Sequence, residues 1–165
     1  MKRLSLFAVA VAFLAAGCSS STTPSTNAPT KPTFTAALST QNEVPPITNA
    51  ESGGRGDATI TIDQTAGSVT FVVNLTGLPA GTPINVAHIH EAAAGTNGSV
   101  RVATTLAAGQ VAIGANGTGS FTSTATGQDA ALLQTIINNP AGFYFNAHST
   151  LNPGGVVRGQ LVKVN

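Results

Sequence analysis

Ala58-Thr59-Ile60-Thr61-Ile62-Asp63, then Gln64-Thr65-Ala66-Gly67, then Ser68-Val69-Thr70-Phe71-Val72-Val73-Asn74-Leu75-Thr76 is the stretch that decides the fold. Ala58, Ile60 and Ile62 alternate with Thr59, Thr61 and Asp63. Val69, Phe71, Val73 and Leu75 alternate with Thr70, Val72, Asn74 and Thr76. Successive side chains of a strand point to opposite faces, so a period of two reads as a half-buried strand. Asp63 to Gly67 carries turn residues, and the two runs read as a hairpin.

The same punctuation continues outward. Gly, Pro, Asn and Asp recur at short intervals between Phe34 and Asn165. Ile84–His90, Ser99–Leu106, Gln110–Ile113, Gly119–Ala125, Gly142–Ser149 and Val156–Val164 read as further strands. Asp129–Ile137 reads as the one short helix, with Ala130, Leu133, Ile136 and Ile137 at helical spacing and Pro140 just beyond. Short strands with frequent turn signals predict an all-β fold, an antiparallel Greek-key β-sandwich or flattened barrel. A domain of this length buries a substantial core without a disulfide or a structural metal.

Composition narrows the function. Only 8% of the 165 residues are charged, against roughly 25% in ordinary domains. Lys and Arg number 7 and Asp and Glu 6, so the basic footprint of a nucleic-acid binder is missing. A single Cys excludes an internal disulfide framework and any Cys-cluster zinc site.

The first residues read as an address. Met1-Lys2-Arg3 is positive, and Leu4 to Ala16 is apolar but too short to span a bilayer. Residues 1–17 are therefore expected to be a signal peptide. Leu14-Ala15-Ala16-Gly17-Cys18 resembles the lipobox of bacterial lipoproteins, with Ala15 where a bulkier aliphatic residue is usual. The resemblance implies lipidation of Cys18 and a membrane anchor. Ser19 in place of Asp favours the outer membrane of the cell envelope, where there is one. Residues 18–33, rich in Ser, Thr and Pro, read as a flexible linker to a domain at 34–165. Beyond the membrane, the expected partner is an unidentified protein or envelope component.

Few residues carry chemistry. All three histidines fall in two strand segments: His88-Ile89-His90-Glu91 and Phe143-Tyr144-Phe145-Asn146-Ala147-His148. Residues two apart in a strand share a face, so His88 and His90 can converge on one ion. Tyr144, Asn146 and His148 share a face of the later strand. If the strands pair, three imidazoles meet, and a three-His site without thiolate suits Cu(II) or Zn(II). The plain alternative is hydrogen-bonded structural histidines at strand ends. Arg158, in an otherwise apolar strand, reads as a buried guanidinium forked onto carbonyls or a carboxylate, ahead of an anion-holding group beside the histidines. No Gly-x-Ser-x-Gly elbow or P-loop occurs, and no catalytic residue is assigned. Glu43 and Glu51 are too isolated to argue as a carboxylate pair.

Taken together, Ala87-His88-Ile89-His90-Glu91, Gly95-Thr96-Asn97-Gly98, Asn139-Pro140, Phe143 to Ser149 and Asn152 to Leu161 resemble the CHRD domain, named for the extracellular antagonist chordin. Leu38 to Pro46 is similar to the opening segment of that family. The resemblance runs from Phe34 to Val164. It departs at Ala92, where Gly is common, at Ser149, where Thr is usual, and at Val156, where an acid is usual. It implies an immunoglobulin-like β-sandwich with no agreed activity; the lipobox, the linker, the low charge and the lack of catalytic groups point to a non-enzymatic binding or adhesion module. A looser likeness links His88-Ile89-His90-Glu91, His148 and Arg158 to the copper ligands and active-site arginine of Cu,Zn superoxide dismutase. The bridging histidine, the zinc ligands and the disulfide cysteines of that enzyme are lacking. The likeness implies, as the alternative function, a copper-only site at His88, His90 and His148 with weak redox or dismutase-like activity. Glu91, Tyr144, Asn146 and Arg158 would be its supporting residues.

Overall fold

The computed structural model describes residues 30–165. The expected signal peptide, Cys18 and most of the linker lie outside the described residues. The expected hairpin is there: β2 (Arg55–Asp63) pairs antiparallel with β3 (Ser68–Thr76) in continuous register from Arg55↔Thr76 to Asp63↔Ser68. Asp63 Oδ1 accepts from Ala66 N at 2.9 Å, which closes the turn.

The remaining strands are β1 (Thr33–Ser39), β4 (Pro83–Glu91), β5 (Ser99–Ala103), β6 (Val111–Ala112), β7 (Gly119–Ala125), β8 (Phe143–Ser149), β9 (Val157–Gln160) and β10 (Val162–Lys163). They form one ten-stranded sheet in the order β5-β4-β8-β9-β1-β2-β3-β7, with β6 on β4 and β10 on β1. Every pairing is antiparallel. The sheet curls into a nearly closed barrel. At the seam, Thr105 just after β5 meets Ser123 of β7, N to Oγ at 2.8 Å. The expected last strand is interrupted at Leu161, which is buried and splits it into β9 and β10.

Alternation explains the core. Phe34, Ala36 and Leu38 of β1, Ala58, Ile60 and Ile62 of β2, and Val69, Phe71, Val73 and Leu75 of β3 all face inward and are buried. Ala87 and Ile89 of β4 join Phe143, Phe145 and Ala147 of β8 on the opposite wall. The Phe71 and Phe145 rings meet across the interior with centroids 5.8 Å apart. Each fully buried Ile or Phe contributes roughly 2 kcal/mol, which makes this layer the main source of stability. The helix α1 (Ala130–Asn138) starts where expected. Asp129 caps it by accepting from Leu132 N at 2.8 Å, and Leu133 and Ile136 drop into the core.

Two features position the site. First, β1 runs from the level of Asn165 to the polar side. Thr33 N donates to Asn165 Oδ1 at 2.8 Å and Val164 N to Thr33 O at 2.8 Å. Ser39, at the other end of β1, pairs with Arg158. Second, all seven residues of β8 are buried. Phe143, Phe145 and Ala147 are covered by the core. Tyr144, Asn146 and His148 are covered from outside by the segments 40–54, 92–98 and 150–155, which contact them as described next. The barrel thus has a second, polar interior on its outer wall.

Candidate metal centre

Register builds the centre. β4 and β8 pair antiparallel with Val86↔His148, His88↔Asn146 and His90↔Tyr144. His88, His90 and His148 therefore project from one face, and one ring nitrogen of each lies within 4.8 Å of the others. His88 Nδ1 is 3.1 Å from His148 Nε2. The rings of His88 and His90 are nearly perpendicular, with centroids 5.4 Å apart.

Hydrogen bonds decide which nitrogens are free. His90 Nδ1 is 3.0 Å from the Gly98 carbonyl, and His148 Nδ1 is 2.9 Å from the Pro153 carbonyl. A carbonyl only accepts, so both Nδ1 atoms carry the proton and both Nε2 atoms present lone pairs, that of His148 toward His88 Nδ1 and that of His90 to no partner in the protein. Backbone carbonyls that orient imidazoles in this way are the usual outer partners of metal-ligating histidines. His90 Nε2 is buried and has no partner in the protein. A buried acceptor without a donor costs roughly 1–3 kcal/mol unless something else satisfies it.

The centre holds its imidazoles neutral. Burial pushes the His88 ring down to about 4, helped by His148 and His90. Burial also lowers His90 and His148, against the upward pull of the carbonyls they donate to. Neutral imidazole is the form that ligates a cation, so protons do not compete near neutral pH.

The surrounding residues build a frame. Arg158, 1% exposed, donates from one terminal nitrogen to Asn97 Oδ1 at 3.2 Å and from the other to the carbonyls of Ala93 at 3.2 Å and Thr96 at 2.6 Å. It therefore grips the 92–98 segment whose Gly98 carbonyl orients His90. Its guanidinium carbon lies 3.4 Å from the centroid of Tyr144, and the His90 ring stacks on Tyr144 at 4.8 Å and 6°. Gly98 N donates to Tyr144 Oη at 3.3 Å. Glu51 Oε2 accepts from Ser149 Oγ and Asn152 Nδ2, fixing the loop that offers the Pro153 carbonyl.

Glu43, 5% exposed, lies behind Asn146, whose Nδ2 donates to Oε1 at 3.1 Å. Burial pushes the Glu43 carboxyl up to about 7, against the nearby Arg158 charge and the Asn146 hydrogen bond. Gly155 has φ +135°, and a Cβ there would fall 2.1 Å from Asn146 Nδ2 and 2.7 Å from the Glu43 carboxylate.

The structure brings His88, His90, His148, Tyr144, Asn146 and Arg158 together. It sets Glu91 apart. Alternation turns that residue off the histidine face at the strand end, where it pairs with Arg101 at 2.7 Å in solvent. Glu43 and Glu51, isolated in sequence, are brought in by the 40–54 segment.

Residues 34–161 match the family model of the CHRD domain. No curated protein matches the chain. A solved crystal structure, that of the clock protein EA4, is similar over 80% of this chain and 94% of that one, at 15% identity and a TM-score of 0.42.

Proposed function

The chain belongs to the CHRD domain family, and on that premise we propose that it is a binding module whose ligand is one d-block cation, copper ahead of zinc. The observation that carries the reading is the convergence of three imidazole nitrogens within 4.8 Å. Two of the rings are locked by backbone carbonyls, and one buried lone pair is left without a donor. The donor set is all imidazole, without thiolate or carboxylate. Such a set suits Cu(II) and Zn(II), and the general affinity order places copper first. Three protein ligands also leave a coordination position open.

Titration calorimetry with Cu(II) and Zn(II) on the full chain tests this. One ion per chain is expected, with copper tighter. His88→Ala, His90→Ala and His148→Ala should each weaken binding by at least tenfold while the melting transition persists. No affinity tighter than millimolar for either ion would overturn the reading.

The same proposal includes an address. Cys18 and the apolar segment before it support export and a lipid anchor in the cell envelope, at the outer membrane where one exists. Cells fed a labelled fatty acid should label the chain, and Cys18→Ser should remove the label. A wild-type chain without label would refute the anchor. The fold's finer description, a Greek-key sandwich of the immunoglobulin and superoxide-dismutase kind, is supported by the all-antiparallel pairing.

A further inference from the structure

Besides His90 Nε2, one other buried polar side-chain atom among the described residues has no partner in the protein: Asn146 Oδ1. Asn146 is 2% exposed and is the direct cross-strand partner of His88. In an antiparallel pair such residues have Cβ atoms about 4.5–5.5 Å apart. It also lies two residues before His148 on the same face of β8. Its carboxamide therefore sits in the layer of the three imidazoles.

The orientation of that carboxamide is determined. Glu43 offers both carboxylate oxygens to Nδ2, at 3.1 and 3.4 Å. The amide nitrogen donates to both oxygens, so the NH2 group faces Glu43 and Asn146 Oδ1 faces away from it. Gly155 seals this arrangement, because any side chain there would displace both partners. The two orphan atoms are both acceptors. A cation satisfies His90 Nε2, and Asn146 Oδ1, the second unpartnered acceptor, is satisfied by a hydrogen-bond donor.

We propose that the centre takes one exogenous oxygen ligand, a water molecule carried by the bound cation, and that Asn146 Oδ1 accepts its hydrogen bond. This rests on the metal-binding reading above and extends it from ligands to occupancy. The water oxygen gives a lone pair to the cation, one O–H points to Asn146 Oδ1, and no covalent bond is broken. Glu43 is the positioning residue that keeps the acceptor edge of the carboxamide turned to the water. Ligands that can donate a proton are thus favoured at this position, and small anions that cannot donate are disfavoured.

The test uses the full chain loaded with Cu(II) and titrated with azide, followed by the azide-to-copper absorption band. Azide displaces water but has no proton to donate, so in the wild type it strands Asn146 Oδ1. Asn146→Leu removes the stranded acceptor at similar volume. Azide should then bind roughly tenfold tighter, since a lost acceptor penalty of about 1.4 kcal/mol is one factor of ten. Copper stoichiometry should stay at one per chain. Glu43→Gln, whose amide lets the Asn146 carboxamide turn over and offer N–H to the anion, should shift azide affinity in the same direction. It carries the test alone if Asn146→Leu does not fold. Copper bound with azide affinity unchanged or weakened in the folded variants would overturn this inference and leave the metal reading standing. No copper bound to the wild type would overturn both.

Discussion

Gly155 shows how much one residue decides here. Its φ of +135° is backbone that residues with a Cβ rarely adopt, and the space a Cβ needs is taken by Asn146 and Glu43. Gly155→Ala should cost more than about 2 kcal/mol, read in urea unfolding, because strain and collision add. The same variant should weaken copper binding, since the 150–155 loop also carries the Pro153 carbonyl that orients His148. Single residues were unevenly legible. His88, His90 and His148 announced themselves because imidazole is rare in this chain and the His-x-His spacing puts two rings on one face. Glu43 did not, because a carboxylate's role comes from burial and from neighbours 103 residues away, which spacing cannot carry. Gly98 and Pro153 act through carbonyl oxygens, and any residue type has one.

At the scale of elements, alternation made β2, β3, β4 and β7 readable, and Asp129 with Pro140 bracketed the helix. β8 behaves differently. Period two suggests a strand with one wet face, yet both of its faces are buried. The signal was local, whereas the cover comes from three segments far away in sequence. Arg158 of β9 is the fastener of one of them, with three donated bonds to 93–97. Arg158→Lys should therefore act on a whole segment. A lysine has one point of attachment where the guanidinium has a planar fork. Unfolding should become easier by roughly 2–4 kcal/mol, and copper affinity should drop because Gly98 no longer holds His90 in place. Calorimetry and urea melts read the two effects separately. A variant that melts lower but binds copper as tightly would show that Arg158 stabilises the segment without orienting His90.

For the whole molecule, pH sets two opposed demands in one polar interior. The three histidines have lowered affinity for protons in the folded chain, His88 down to about 4. Their contribution is complete above the ordinary histidine range, near 6.5, and is lost as pH falls through the folded values. Glu43 is opposite. Its folded value is raised from 4.5 to about 7, so its contribution is complete below 4.5 and is lost as pH rises through 7. Between these limits the groups act against each other, the histidines adding stability as pH rises and Glu43 removing it, so each masks part of the other in the wild type. Glu43→Gln should unmask the histidines, so that stability climbs from pH 4 to 6.5 and holds above. The variant with all three histidines changed to alanine should lose on the order of 2 kcal/mol between pH 4.5 and 7. Urea melts across that range check both. Parallel profiles for the two variants would show that the burial of these groups is not what governs them.

The run of β1 has a consequence for how the module faces its surroundings. Thr33, where the chain enters the barrel, is tied to Val164 and Asn165, while Ser39 lies in the row that continues through Arg158 and Asn146 to His88. Six residues of strand separate the two levels, about 20 Å at the usual rise. Thr33 and Asn165 thus share one level of the sheet, and His88 lies at another, toward the far end of β1. A chain moored at its leading segment would hold the three imidazoles away from the mooring, like a lantern at the end of a mast.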